Sequence, residues 1–105
     1  MPITEQMIFE CYQAWRNEDR AHVPDGMNAN SASMTMLWLD SLFSGRPYHR
    51  DGSSLQYRVI LERIREDYGP AQARFARDVL LGHCEWSLEN YGKPMHRHRE
   101  VLRHF

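Results

Sequence analysis

Residues 31–44, SASMTMLWLDSLFS, place the strongest constraint on this 105-residue chain. At helical spacing Met34, Met36, Leu37, Trp38, Leu39, Leu42 and Phe43 surround the whole circumference, where an ordinary surface helix carries one apolar stripe. A helix apolar all round must lie at the centre of a core or be covered by a partner. A strand through MTMLWLD would need a mate, and no other segment offers one. A chain of this length supports a single core, and so few elements enclose a helix completely only with difficulty. The segment therefore points to a helical fold with an association surface. Met36, Leu39 and Phe43 are the residues expected to be left over from the core, with a homodimer as one way of covering them.

Turn and cap signals divide the rest of the chain. Thr4 is an N-cap candidate for a first helix whose Ile3, Met7, Cys11, Ala14 and Trp15 share a face. Residues 20–30, with Pro24, Gly26 and two Asn, read as a loop, and Gly45 ends the apolar helix. Ser53 and Gln56 have the S-x-x-Q form of a capping box and open a helix with a narrow stripe of Tyr57, Ile60, Leu61, Ile64 and Tyr68. Its other faces pair Arg58 with Glu62 and Arg63 with Asp67 at i,i+4. Gly69 and Pro70 mark the end of that helix and the start of the next, which runs to Gly92. Phe75, Ala76, Val79, Leu80, His83, Cys84, Trp86 and Tyr91 span about half of its circumference, wider than the ~100° stripe of a surface helix. Beyond Pro94, MHRHREVLRHF forms a short last helix carrying Met95, Val101, Leu102 and Phe105. The expected fold is all-α, a compact bundle of four main helices plus a short C-terminal helix in a single domain over 1–105. The expected core contains Trp86, Phe75, Val79, Leu61, Ile64, Trp38 and Trp15.

Charge is distributed unevenly. Residues 1–45 hold six acids and two Arg, residues 46–92 hold seven of each sign, and the tail from Lys93 onward carries +3, for a total of −1. A basic end on a near-neutral chain points toward an anionic partner, and a solvated terminal helix is the plain alternative. Twelve of the thirteen basic residues are Arg, whose guanidinium pairs bidentately with carboxylate or phosphate. Arg46, Arg50, Arg97, Arg99 and Arg103 lie where compensating acids are few. With Tyr48 and His49 they make the candidate binding surface. A sequence pI near 6.6 stands well below the ~9 of dedicated nucleic-acid domains, so an acidic protein face ranks above DNA or RNA as the target.

Other classes are disfavoured. No apolar run approaches the ~20 residues of a membrane span, and MPITEQMIFE lacks the basic start and apolar stretch of a secretion signal, so a cytoplasmic location is expected. Cys11 and Cys84 have no CxxC spacing and read as buried thiols. His83 and Cys84 are helical neighbours whose side chains diverge by about 100°, which argues against a shared metal or a nucleophile pair. GxSxG, Walker A, GxGxxG and HExxH are absent, so no catalytic residue, metal or cofactor is expected. VILERIREDYGPAQARFARDVL has the outline of a helix–turn–helix. Arg65 and Asp78, however, occupy positions that should be small and apolar, which favours a plain helix hairpin. The functional expectation is a small non-catalytic protein-binding module: an adaptor, inhibitor or regulator of the kind that phages and mobile elements direct against host complexes. A nucleic-acid-associated regulator using the Arg-rich loop and tail is the alternative.

Overall fold

Local capping chemistry sets the helix boundaries. The computed structural model describes residues 2–50 and 52–105, and in it the chain forms α1 (Glu5–Arg16), α2 (Ala29–Ser44), α3 (Ser54–Tyr68), α4 (Pro70–Tyr91) and α5 (His96–Leu102). Helices make up about 70% of the chain, far above the 30–35% of an average globular protein. Thr4 Oγ1 accepts from the Met7 amide at 3.2 Å. Asn28 caps α2 through the Asn30 amide, so this helix starts two residues before the end of the expected loop. Both halves of the Ser53–Gln56 capping box form.

One hydrophobic cluster draws on all five helices, from Ile8 and Tyr12 of α1 to Leu102 of α5. The closest-knit pair is α3 with α4, and the pair, more than α4 alone, forms the centre of the bundle. Close approach is possible because the core-facing edge of α4 is made of Ala73, Ala76, Leu80, Cys84 and Ser87, mostly small residues. α3 answers with Tyr57, Ile60, Leu61 and Ile64, all at 0% exposure. α1 is tied to the end of α3 by polar contacts: the Tyr12 hydroxyl donates to Asp67 at 2.8 Å, and Arg16 pairs with the same carboxylate at 2.9 Å. Asp67 is therefore occupied from α1, and Arg63 pairs with Glu66 in place of the expected Asp67.

Most of the all-round apolar helix is covered by the chain itself. α2 packs on α1 and α4, and the loop between α2 and α3 folds over the side that these helices leave open. The Arg50 guanidinium lies 5.2 Å above the Trp38 ring, and Gly52 is so close that a Cβ would stand 3.2 Å from the indole. Met36 and Leu39 are 2% and 0% exposed, which corrects their assignment to an association surface; they are core. Phe43 is half-buried between Trp15 and Tyr68. Leu37 is the large apolar side chain of α2 that remains exposed. Of the expected core, Trp38, Leu61 and Ile64 are fully buried, whereas Trp15, Val79 and Trp86 are partly buried and Phe75 is 44% exposed. Among the described residues, no helix is long and apolar enough to cross a membrane.

Two predictions follow from this packing. Trp38→Ala removes a fully buried ring and should cost ~3–5 kcal/mol in urea unfolding, with Trp86→Ala losing less than half as much. Equal losses would return Trp86 to the core. Stability should also fall in alkali. Burial, then the charge of Glu10, lifts the Cys11 thiol from 9.0 to about 11, and burial with the Asp67 hydrogen bond pushes Tyr12 upward as well. A folded-state pKa above the unfolded one contributes stability that is complete below pH 9 and lost as pH rises toward 11. Chemical unfolding across that range should steepen with pH, and Cys11→Ala should flatten the slope whatever its effect on stability at neutrality.

Candidate functional site

The breadth of the α4 stripe has a structural explanation: one edge of it is core and the other lines a cleft. Between the end of α2, the loop after Gly45 and α4 lies a cleft of about 600 Å³. Tyr48 and His49 come from the loop, and Phe75, Val79, His83 and Trp86 come from α4 at spacings that place them on one side of the helix. This volume and aromatic lining are typical of sites that receive a ligand or a protruding side chain.

Gly45 makes the approach of loop and helix possible. It ends α2 with φ +80°, and a Cβ there would stand 3.1 Å from Phe75 Cζ. The chain then passes through Pro47 and turns back, with the Arg50 amide donating to the Tyr48 carbonyl at 2.9 Å. The turn lays the His49 ring flat on Trp86, with centroids 3.8 Å apart and planes within 7°. The Nδ1 atoms of His49 and His83 are 3.2 Å apart, so one ring donates its N–H to the other. His83 is 6% exposed and points away from Cys84, which sits in the core at 0%. Burial holds both thiols above their ordinary pKa, and the thiolate that metal binding or nucleophilic attack needs is disfavoured. Among the described residues, no three His, Cys, Asp or Glu side chains converge on one point where a metal ion would fit.

A second, shallower groove of about 310 Å³ adjoins the cleft. It shares Ser41, Pro47 and Tyr48 with the cleft and adds Leu37, Ser44 and Arg46. The charges along this surface are unequal in availability. Asp78 is paired with Arg77 at 3.0 Å, and Asp40 is held by Arg20 and by the Trp15 indole N–H at 2.9 Å. Arg46 and Arg74 are exposed and form no ion pair among the described residues.

The expected binding residues divide three ways. Tyr48 and His49 line the cleft, and Arg46 flanks it. Arg50 does not project: it is 8% exposed, covers Trp38 and donates to Gln56 Oε1 at 3.5 Å, so its part is structural. The tail does touch the loop, because His98 Nε2 donates to the Gly52 carbonyl at 2.6 Å. Its arginines are dispersed in their engagements. Arg99 donates to the Pro94 carbonyl at 2.7 Å, Arg103 pairs with Glu100 at 3.0 Å, and Arg97 stands exposed. Phe75 and Trp86 line the cleft, although sequence reading assigned them to the core, and Leu37, which it singled out for neither core nor surface, lines the groove. The available signal was the excess width of the α4 stripe.

Gly45→Ala should cost ~1–2 kcal/mol from the left-handed backbone alone, plus the clash with Phe75. Gly92→Ala, at φ +67° with nothing within 4 Å, should show only the backbone part. Adding Phe75→Leu to Gly45→Ala should recover the difference in urea unfolding, and no recovery would refute the close approach of loop and helix.

In comparisons with known proteins, the chain matched no family model, no curated protein and no solved structure.

Proposed function

We propose that this chain is a small non-catalytic protein-binding module, an adaptor, inhibitor or regulator, whose docking surface is the aromatic cleft with its Arg46-bearing groove. The observation that carries the reading is Phe75. A phenylalanine 44% exposed at the edge of a cleft that also holds Tyr48, His49 and Trp86 is the arrangement of an interface anchor, since binding hot spots gather aromatic residues around a desolvated centre. The partner's matching face is acidic. Both acids beside the cleft are already held by arginines, while Arg46 and Arg74 are open to long-range attraction and bidentate pairing.

The test is capture of the partner from the native host by the intact chain, with cross-linking to locate the contact. Cross-links should cluster on the loop 45–49 and on α4 around residue 75. Phe75→Glu, in a protein with unchanged circular dichroism, should weaken binding by ~10-fold or more. Nuclease treatment should leave the complex intact. Cross-links confined to other faces, or loss of the complex with nuclease, would refute the proposal, the latter in favour of a nucleic-acid regulator.

A further inference from the structure

The cleft and its groove differ in what they can receive, and that difference describes the occupant. The cleft is wide, deep and walled by rings. The stacked pair of His49 on Trp86 gives it one flat wall, and Phe75 with Tyr48 stands in the same lining. Flat aromatic walls favour a flat aromatic guest, because offset-stacked and edge-on ring contacts add to the apolar area they bury. The groove is about half the volume of the cleft and offers one exposed aliphatic side chain, Leu37, and one cation, Arg46. The two compartments adjoin, with Ser41, Pro47 and Tyr48 in the walls of both. A single ring would fill the first and leave the second empty, whereas an extended peptide places successive side chains in both.

Building on the protein-binding reading above, we infer that the occupant is a peptide segment of the partner that inserts an aromatic side chain into the cleft and sets a carboxylate, from Asp or Glu a few residues away, against Arg46. Charge complementarity fixes the sign. Asp78 and Asp40 are neutralised locally by Arg77 and Arg20, so the net attraction along the groove is for an anion. Arg46 is also tethered at its base, since its amide donates to Ser44 Oγ at 3.2 Å, which holds the start of the loop beside the groove while the exposed guanidinium forms no ion pair among the described residues.

The inference is tested by NMR titration of the intact protein with three acetylated, amidated peptides: GFGEG, GLGEG and GFGKG. GFGEG should shift the Trp86 indole and His49 ring resonances. Replacing Phe by Leu should weaken binding by about 5-fold, the loss of roughly 1 kcal/mol of ring contact. Replacing Glu by Lys should weaken it at low salt, with the difference shrinking as the salt is raised. Arg46→Glu should reverse the preference between GFGEG and GFGKG while leaving the Trp86 shifts in place. Equal binding of all three peptides, shifts that avoid the cleft, or free indole binding as well as GFGEG would each overturn the peptide assignment, the last in favour of a small planar molecule. A cleft that ignores the peptides while Phe75→Glu still abolishes partner binding would overturn this inference and leave the docking surface standing.

Discussion

One side-chain amide links the loop between α2 and α3 to the cap of α3. Gln56 Oε1 accepts the Ser53 amide at 2.8 Å to complete the cap of α3, and the same oxygen receives Arg50 Nη1 at 3.5 Å. The cap thus fixes where α3 begins and, through Arg50, where the loop closes over Trp38. This closure covers the Trp38 side of the all-round apolar segment with the chain's own loop. An arginine suits the position because its guanidinium covers an aromatic face while keeping polar partners at its rim. His98 reinforces the loop from the other side through the Gly52 carbonyl, so α5 supports the same closure.

Much of the fold was legible because helix ends leave local chemical marks. Thr4, Ser53 with Gln56, Gly45, Gly69 with Pro70, and Gly92 all stand where the structure uses them. These signals act within a few residues, and a single sequence displays them directly. Enclosure was not legible for the opposite reason. Whether Trp38 faces solvent or core is decided by Arg50 and Gly52 arriving from a loop, and loops carry no periodicity from which their path can be read. Cys11, for example, is covered by Met27, whose sulfur lies 3.5 Å away across 16 positions of sequence.

The site shows a mixed record. Tyr48 and His49 were singled out because a basic, aromatic loop is chemically conspicuous, and both reach the cleft. Arg50, two residues after Tyr48, looked equally conspicuous and is buried. Composition cannot separate a guanidinium that meets solvent from one that covers an indole. Phe75 and Trp86 were misplaced in the other direction. Apolar residues read as core by default, yet an exposed apolar cluster is the more informative observation when it occurs.

The division of α4 into two edges has an evolutionary corollary. Ala73, Ala76, Cys84 and Ser87 hold the helix against the core, while 75, 79 and 86 face the cleft, and Leu80 and His83 belong to both. On the proposed docking role, substitutions on the second edge would change recognition without disturbing the close approach of α3 to α4. The helix can therefore diverge in what it binds while its seat in the bundle stays constant. Lineages of such a chain would be expected to vary fastest at 75, 79 and 86, to keep small residues at 73 and 76, and to change His83 only together with His49.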